Sequence, residues 1–313
     1  TGEGLDPSAE NCSSLEFPSD VAQAFTTPST DSLSSGSEFT WELWIRPEAY
    51  SGYTTEGLFD SSWVQIIRQS GTLLPIVLGL MLRDTGMHVY GGIHADGGSE
   101  IKVMDLAPIV AGQWHHLALV RKNGALKLFV NGEQAGLWIG ACCGWEFSED
   151  SEAEISFAYD GDSGALELGV SNPTSGHYSY KGGLDEVRIS STARYDGDFT
   201  PSARFESDSQ TQALYHFDGP EGDPAEDSSG TGLDLVGDVL TDFIKDGECP
   251  GTPKTGEGLD PSAFNWVSVS AAYDHSCGLK ADGSAYGWGS GSGAGGESDI
   301  PAGTYLSVDA GWH

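Results

Sequence analysis

Carboxylates are the most abundant side chains in this chain that could do chemistry, and their spacing limits what they could do. A retaining glycoside hydrolase needs two carboxyl groups about 5–5.5 Å apart. The acids that come nearest to such a pair are Glu149, Asp150, Glu152 and Glu154. They lack an Asp embedded in a strand and lie in a polar stretch. The chain also lacks the Gly-x-Ser-x-Gly, His-Glu-x-x-His and Walker motifs. The sequence therefore predicts no catalytic site.

Hard cations are a second possibility for these acids. Asp160-Gly161-Asp162 is a short Asp-x-Asp loop whose oxygens could hold Ca²⁺. A solvated acidic loop is the competing interpretation.

Aromatic side chains provide a different chemistry, because an exposed ring can stack on the face of a sugar while polar neighbours fix its orientation. The sequence places several such residues in or near predicted loops: Trp63, Tyr90, Trp138, Trp145 and Tyr178. Arg83, His88 or Asn172 could donate hydrogen bonds to the same ligand. Trp41, Trp44 and Trp114 lie in predicted strands, where packing is the simpler role. His115-His116 is likewise expected to be a strand pair rather than a pair of ligands.

The charge balance limits the possible partners. The chain has 47 acids against 14 bases, a formal net charge of -33 over 313 residues. Such a field repels phosphate backbones and anionic lipids, which argues against nucleic acid or a membrane surface as partner. The uncharged stretch at 69–82 is too short to span a bilayer and is interrupted by Pro75. Solubility in a saline or extracellular setting explains the charge, and divalent-cation binding in the loops is the alternative.

One segment predicts both strand pairing and register. Asn123-Gly124 favours a two-residue type I′ turn, which pairs Lys122 with Ala125 and sets the ladder behind it. One face of the hairpin is then apolar and the other is mixed. A second pair, Asn131-Gly132, predicts another turn into a third strand over 133–139. With 44 glycines and no helical periodicity, the chain is expected to be all-β.

The same hairpin resembles the central hairpin of laminin G-like (concanavalin A-like) jelly-roll domains, through Trp-His-His-x-Ala-Leu-Val and Val-Asn-Gly. Three further stretches resemble landmarks of that family in the expected order: FTWELWIRP at 39–47, GGLDEVRISSTA at 182–193, and ALYHFDG at 213–219. The resemblance implies an antiparallel jelly-roll sandwich. It also implies a calcium ion near Asp185. The alternative for Asp185 is a buried carboxylate bonded to backbone or to Arg188.

The positions of the five cysteines suggest which of them could form disulfides. Because the two ends of such a jelly roll lie close together, the resemblance implies a disulfide between Cys12 and Cys249, and hence an oxidising compartment. The adjacent Cys142 and Cys143 could form a vicinal disulfide or remain two thiols. Cys277 is left without an expected partner. The chain has no Cys-x-x-Cys, so a zinc site is not expected.

The chain is expected to contain two structured parts. TGEGLDPSA occurs at 1–9 and again at 255–263, in a composition typical of linkers. Residues 1–10 and 251–263 are therefore predicted as linkers, and 11–250 as the jelly roll. Residues 264–313 resemble a regulator-of-chromosome-condensation propeller repeat, through His275, Cys277, Asp282-Gly283 and Trp288-Gly289. The motif restarts at Tyr305, which suggests a partial β-propeller.

These features predict a non-catalytic, extracellular or cell-surface module that binds carbohydrate or mediates adhesion, with structural Ca²⁺. Its partner would be a glycan or a cell-surface protein. The alternative is a structural or protein-interaction module without a sugar site. Self-assembly through the edges of the propeller repeat is a further possibility, because a single blade leaves unpaired strand edges.

Overall fold

The computed structural model describes residues 13–17, 25–28, 33, 36–50, 62–69, 76–83, 85–94, 100–141, 144–147, 152–155, 164–169, 180–218, 226–236, 244–246, 250, 266–271, 275–280 and 285–289. The chain divides into two compact units, Thr1–Thr252 and Pro253–His313. Regular structure in the described ranges is entirely β, with every strand pair antiparallel. The all-β prediction is therefore confirmed.

The strands, in chain order, are β1 (Ser13–Phe17), β2 (Phe25–Thr26), β3 (Phe39–Pro47), β4 (Ser62–Gln69), β5 (Ile76–Arg83), β6 (Gly86–His94), β7 (Glu100–Ile109), β8 (His115–Lys122), β9 (Ala125–Val130), β10 (Glu133–Gln134), β11 (Leu137–Ala141), β12 (Gly144–Phe147), β13 (Ala153–Glu154), β14 (Leu166–Leu168), β15 (Gly182–Ser190), β16 (Thr211–Tyr215), β17 (Ile244–Asp246), β18 (Trp266–Ala271), β19 (His275–Lys280) and β20 (Ala285–Gly289).

Two sheets form the sandwich of the first unit. Sheet I has the order β10-β9-β8-β3-β15-β1-β17, with β13 beside β9 and β16 beside β15. Sheet II has the order β12-β11-β7-β6-β5-β4-β14-β2. The apolar core lies between them and includes the fully buried Trp41, Leu119 and Val89. At Gly91 the sheets approach so closely that an added Cβ would lie 2.6 Å from Leu119 Cδ1.

The hairpin prediction is confirmed in turn and in register. Asn123 and Gly124 have φ of 52° and 79°, as a type I′ turn requires. Lys122 pairs with Ala125, and Leu119 with Leu128. The asparagine and glycine therefore determine which side chains of β8 and β9 enter the core.

The second turn forms as predicted, but the strand after it does not continue as expected. Asn131 and Gly132 again have positive φ, of 54° and 83°. The strand that follows, β10, is only two residues long, and β11 then pairs with β7 in sheet II. The expected three-stranded meander therefore forms as β8-β9-β10, but its third strand ends at Gln134 rather than at Ile139. The chain instead crosses from one sheet to the other at Ala135-Gly136.

The mixed face of the hairpin is covered by a segment that we call the strap, residues 191–210. Tyr195 and Phe199 of the strap pack with Phe129 in a small apolar cluster on the outer side of sheet I. Backbone and side-chain bonds attach the strap to the β9–β10 turn and to two strands: Phe199 N to Gly132 O (2.8 Å), Trp44 Nε1 to Ser202 O (2.9 Å), and Arg188 Nη1 to Glu206 O (3.1 Å). The chain itself thus occupies this outer face.

In the second unit, β18, β19 and β20 form a three-stranded antiparallel sheet. The restarted motif at Tyr305 lies outside the described residues. So do Cys12, Cys142, Cys143 and Cys249, and the two disulfides stay predictions. Where the structure is described, there is no helix long and apolar enough to cross a membrane.

Candidate functional site

The outer face of sheet II carries a second apolar cluster, separate from the core. Val77, Met81, Tyr90 and Met104 are buried there, and Trp63 packs against them while remaining partly exposed. On the opposite side of the sandwich the strap fills the equivalent outer face. The candidate site is therefore the sheet II face around Trp63, which we call the Trp63 face.

Strand register brings these residues into neighbouring rows. Gln65 pairs with Gly79, Gly79 with Tyr90, and Tyr90 with Met104. Trp63 pairs with Met81 in the next row. In a sheet, residues paired in this way share one face. Four strands, β4 to β7, are thus needed to assemble a surface that no short motif encodes.

The ring of Trp63 is held by two contacts. It meets Tyr90 edge to face, with centroids 4.6 Å apart and planes at 80°, and the Lys102 ammonium lies 5.0 Å from its centroid. Gly79 makes room for Tyr90, since an added Cβ would lie 2.9 Å from Tyr90 Cε1 and 2.2 Å from Val64 O. Only glycine fits between the strand backbone and this ring, so the glycine fixes the depth at which Tyr90 lies.

Polar side chains lie beside the buried apolar residues of the Trp63 face. Arg68 Nε donates to Glu167 Oε2 at 2.5 Å, and Arg68 Nη1 donates to Gln65 Oε1 at 3.2 Å. The Tyr90 hydroxyl is buried and makes no hydrogen bond of good geometry within the described residues. Burial raises its pKa, and Gln65 opposes that shift. The face therefore combines a fixed ring, apolar side chains and a bordering amide and ion pair.

The structure brings together some of the predicted ligand-binding residues and separates others. Trp63 and Tyr90 share the face, but the expectation that Tyr90 lies in or near a loop is wrong, because it is buried inside β6. His88 is also buried, with Nδ1 3.0 Å from Asp105 O and Nε2 2.7 Å from Thr85 Oγ1. Arg83 ends β5 opposite Gly86.

Two further predicted ligand-binding residues, Trp138 and Trp145, lie in strands of sheet II. Trp138 pairs with Met104 and is the second residue of β11, and Trp145 pairs with Gly140 and is the second residue of β12. Tyr178 and Asn172 lie outside the described residues. The sequence analysis missed Gln65, Arg68, Lys102 and Glu167. For Lys102 the sequence did contain a signal. Lys102 and Met104 alternate with Ile101 and Val103, and such alternation indicates which residues of β7 share a face.

The predicted calcium position, Asp185, is a buried side chain. Its Oδ1 accepts a hydrogen bond from Glu186 N at 2.7 Å, while Arg188 pairs with Glu42 instead. Burial, followed by repulsion from Glu186, raises the pKa of Asp185 well above its usual value. Across the described ranges there is no group of three or more His, Cys, Asp or Glu side chains arranged to hold a metal ion. Asp160 and Asp162 lie outside those ranges.

The acidic run also carries no described catalytic pair. Glu149 and Asp150 lie outside the described residues, and Glu152 Oε2 lies 3.4 Å from Lys127 Nζ on the surface. A retaining glucanase of this fold would carry its pair on alternate residues of one strand, as Glu-x-Asp-x-x-Glu; that spacing occurs at 221–226, where Pro224 interrupts it. Since Pro cannot donate to a strand ladder, this segment does not fit a central strand.

Comparisons with known proteins agree with the architecture. Residues 19–138 match the family model described as the concanavalin A-like lectin/glucanases superfamily, and residues 266–293 match that of the regulator of chromosome condensation repeat. No curated protein gives a significant match. The matched region lies within the first unit, whose two antiparallel sheets form a jelly-roll sandwich of the kind that this superfamily model describes.

Several solved structures are similar to the chain at low identity. A proposed carbohydrate-binding protein from Bacteroides ovatus has a TM-score of 0.50 and 17% identity, over 77% of this chain and 61% of that one. The SAP-like pentraxin of Limulus polyphemus has a TM-score of 0.39 and 14% identity, over 59% of this chain and 78% of that one. For domains LG4-5 of the mouse laminin alpha1 chain the TM-score is 0.38 and the identity 15%, over 62% and 49%. The chain thus spans about 61% of the length of the Bacteroides protein.

Proposed function

We propose that the chain contains a non-catalytic carbohydrate-binding module whose ligand lies on the Trp63 face. One observation carries the proposal: the partly exposed indole of Trp63 is fixed by Tyr90 and Lys102 on the outer face that the strap does not occupy. A ring held in this way loses little freedom when a sugar stacks on it. Gln65 and the Arg68–Glu167 pair provide polar groups that would orient hydroxyls.

The Bacteroides protein supports the proposal through its described carbohydrate binding and its shared fold. An extracellular or cell-surface location fits the net charge of -33 and belongs to the proposal as well. Calcium is a separate prediction, and it applies to the acidic loop of Asp160 and Asp162. The proposed sugar site does not depend on the location of the protein or on calcium binding.

The second candidate is a protein-interaction module. Leu106 and Val110 are 36% and 55% exposed near the end of β7, next to the exposed Pro108. An apolar patch of this kind favours contact with a protein. It is small, so we rank this candidate below the sugar site.

The test is binding of the full chain to a glycan array, followed by titration of the best ligand. Trp63→Ala should weaken binding about fivefold or more, since an aromatic contact contributes about 1 kcal/mol or more. Trp114→Ala is a matched control, because Trp114 is also partly buried beneath a cation, with Arg46 Cζ 5.5 Å from its ring. Equal loss in both variants would remove the Trp63 face from the proposal. An array without hits would favour the protein-interaction candidate.

A further inference from the structure

Three carboxyl groups gather where β15 meets the strap, and we call Asp185, Glu186 and Asp218 the acidic cluster. A bulge produces it: the pairing of β15 with β3 shifts between Asp185 and Arg188, and Glu186 has a φ of 49°. Left-handed φ is uncommon for a residue with a side chain. The extra residue lets two successive acids, Asp185 and Glu186, both approach groups of the strap and of β16's C-terminal end.

Protein donors already bind nearly all of the cluster's oxygens. Glu186 Oε2 accepts from Phe205 N (2.6 Å), and Glu186 Oε1 lies 2.6 Å from His216 Nδ1. Asp218 Oδ1 accepts from Ser13 N (3.3 Å), and Asp218 Oδ2 accepts from Arg204 Nη1. With the bond from Glu186 N to Asp185 Oδ1, five of the six carboxyl oxygens have a donor.

Arg204 of the strap supplies positive charge at the centre of this arrangement. Its Nη1 contacts Asp218 and lies 3.6 Å from Glu186 Oε1. Its charge also acts on Asp185. Glu186 is 4% exposed in its side chain, so a nearby counter-charge matters more there than in open water.

A calcium ion does not fit this set of donors. It needs six to eight oxygen ligands at about 2.3–2.6 Å. To obtain them from the cluster it would have to displace Arg204 and break the bonds from Phe205, His216 and Ser13. The calcium that the family resemblance places near Asp185 therefore competes with groups already in place.

We propose that Arg204 is the cation of the acidic cluster, and that the guanidinium replaces a divalent ion at this position. The jelly roll then anchors its strap with a covalently attached charge rather than with a free ion. Removing that charge should let a divalent cation associate weakly with the cluster, because Glu186 and Asp218 would lose their counter-charge while still accepting the bonds from Phe205, His216 and Ser13.

The experiment measures the shift in melting temperature that excess calcium produces in chelator-treated full chain. The variants are Asp185→Asn, Arg204→Gln and Arg204→Lys. Arg194→Gln is the matched control, since Arg194 is another strap arginine bound to a carboxylate, Asp208, outside the cluster. Any calcium bound elsewhere contributes equally to every variant.

The proposal expects the same calcium-induced shift in wild type, Asp185→Asn, Arg204→Lys and Arg194→Gln, and a larger shift in Arg204→Gln. Loss of the wild-type shift in Asp185→Asn would overturn the proposal, because it would make Asp185 a ligand. A shift in Arg204→Gln no larger than in Arg194→Gln would also overturn it. If Arg204→Gln does not fold, the comparison of wild type with Asp185→Asn still decides the matter.

Discussion

Arg188 of β15 reaches across to Glu42 of β3 with two nitrogens, Nε at 2.8 Å and Nη2 at 2.7 Å from Oε1. Glu42 is fully buried, and Tyr195 of the strap donates its hydroxyl to Glu42 Oε2 at 2.7 Å. Burial opposes ionisation of Glu42, but His116, Arg188 and Tyr195 together lower its pKa. One carboxylate thus joins two central strands of sheet I to the strap.

Glu42→Gln should therefore destabilise the sandwich by about 3–5 kcal/mol, because it leaves the Arg188 charge buried without its counter-ion. Urea unfolding monitored by tryptophan fluorescence measures the change. Glu152→Gln, which removes a surface partner of Lys127, should cost less than about 1 kcal/mol. Similar losses in the two variants would contradict the central role of Glu42.

Asp227 should make stability depend on pH in the acidic range. Burial opposes its ionisation, but donors on Ser229, Thr231 and Leu233 outweigh burial and lower its pKa. A carboxylate with a lowered folded pKa stabilises the fold above its unfolded pKa, and that stability is lost as the pH falls through the folded value.

Asp227→Asn should thus be least stable relative to wild type near pH 7, and the difference should shrink as the pH falls below about 4. Urea unfolding at several pH values tests this. The neighbouring exposed Glu226 provides the control Glu226→Gln, which should follow the wild-type profile. A difference between Asp227→Asn and wild type that stays constant with pH would rule out the carboxylate as its source.

Gly79→Ala should cost about 1–3 kcal/mol and weaken any glycan binding, since the added Cβ would meet Val64 O at 2.2 Å and push on Tyr90. Gly197→Ala is the matched control, because no atom lies within 4 Å of an added Cβ there. Its unfolding free energy should change by less than about 0.5 kcal/mol. Unchanged stability in Gly79→Ala would show that the strands tolerate a shift at this position.

The Cys12–Cys249 disulfide remains a prediction that the strand pairing supports. Ser13 of β1 pairs with Asp246 of β17, so the segments that lead to the two cysteines start side by side. Mass spectrometry of unreduced peptides should find the link, and reduction should lower stability by about 4–5 kcal/mol in the chain-entropy model. Free thiols at both positions in folded protein would remove the link and, with it, the argument for an oxidising compartment.

Local chemistry made parts of this fold predictable. The hairpin followed from Asn123-Gly124, because asparagine and glycine readily adopt the positive φ that a type I′ turn requires, whatever the distant residues are. The strands β3 and β15 were placed by the family resemblance. A turn or strand that is determined by residues only a few positions apart can be predicted from the sequence.

Other parts depended on long-range pairing that the sequence does not display. The bulge at Glu186 shifts the ladder, so Arg188 meets Glu42, 146 residues away, rather than the nearby Asp185. The Trp63 face needs the register of strands from β4 to β7 before Trp63 and Lys102 can meet. The strap has no periodicity of its own, and its position follows from the aromatic and charged groups beneath it.

The strap also has a consequence for valency. Because the strap packs over Phe129 on the outer face of sheet I, a broad ligand bound at the Trp63 face would contact the sandwich from one side. Tight attachment to a repetitive polymer would then require several copies of the domain on one scaffold, each contributing a single weak contact to a high effective concentration.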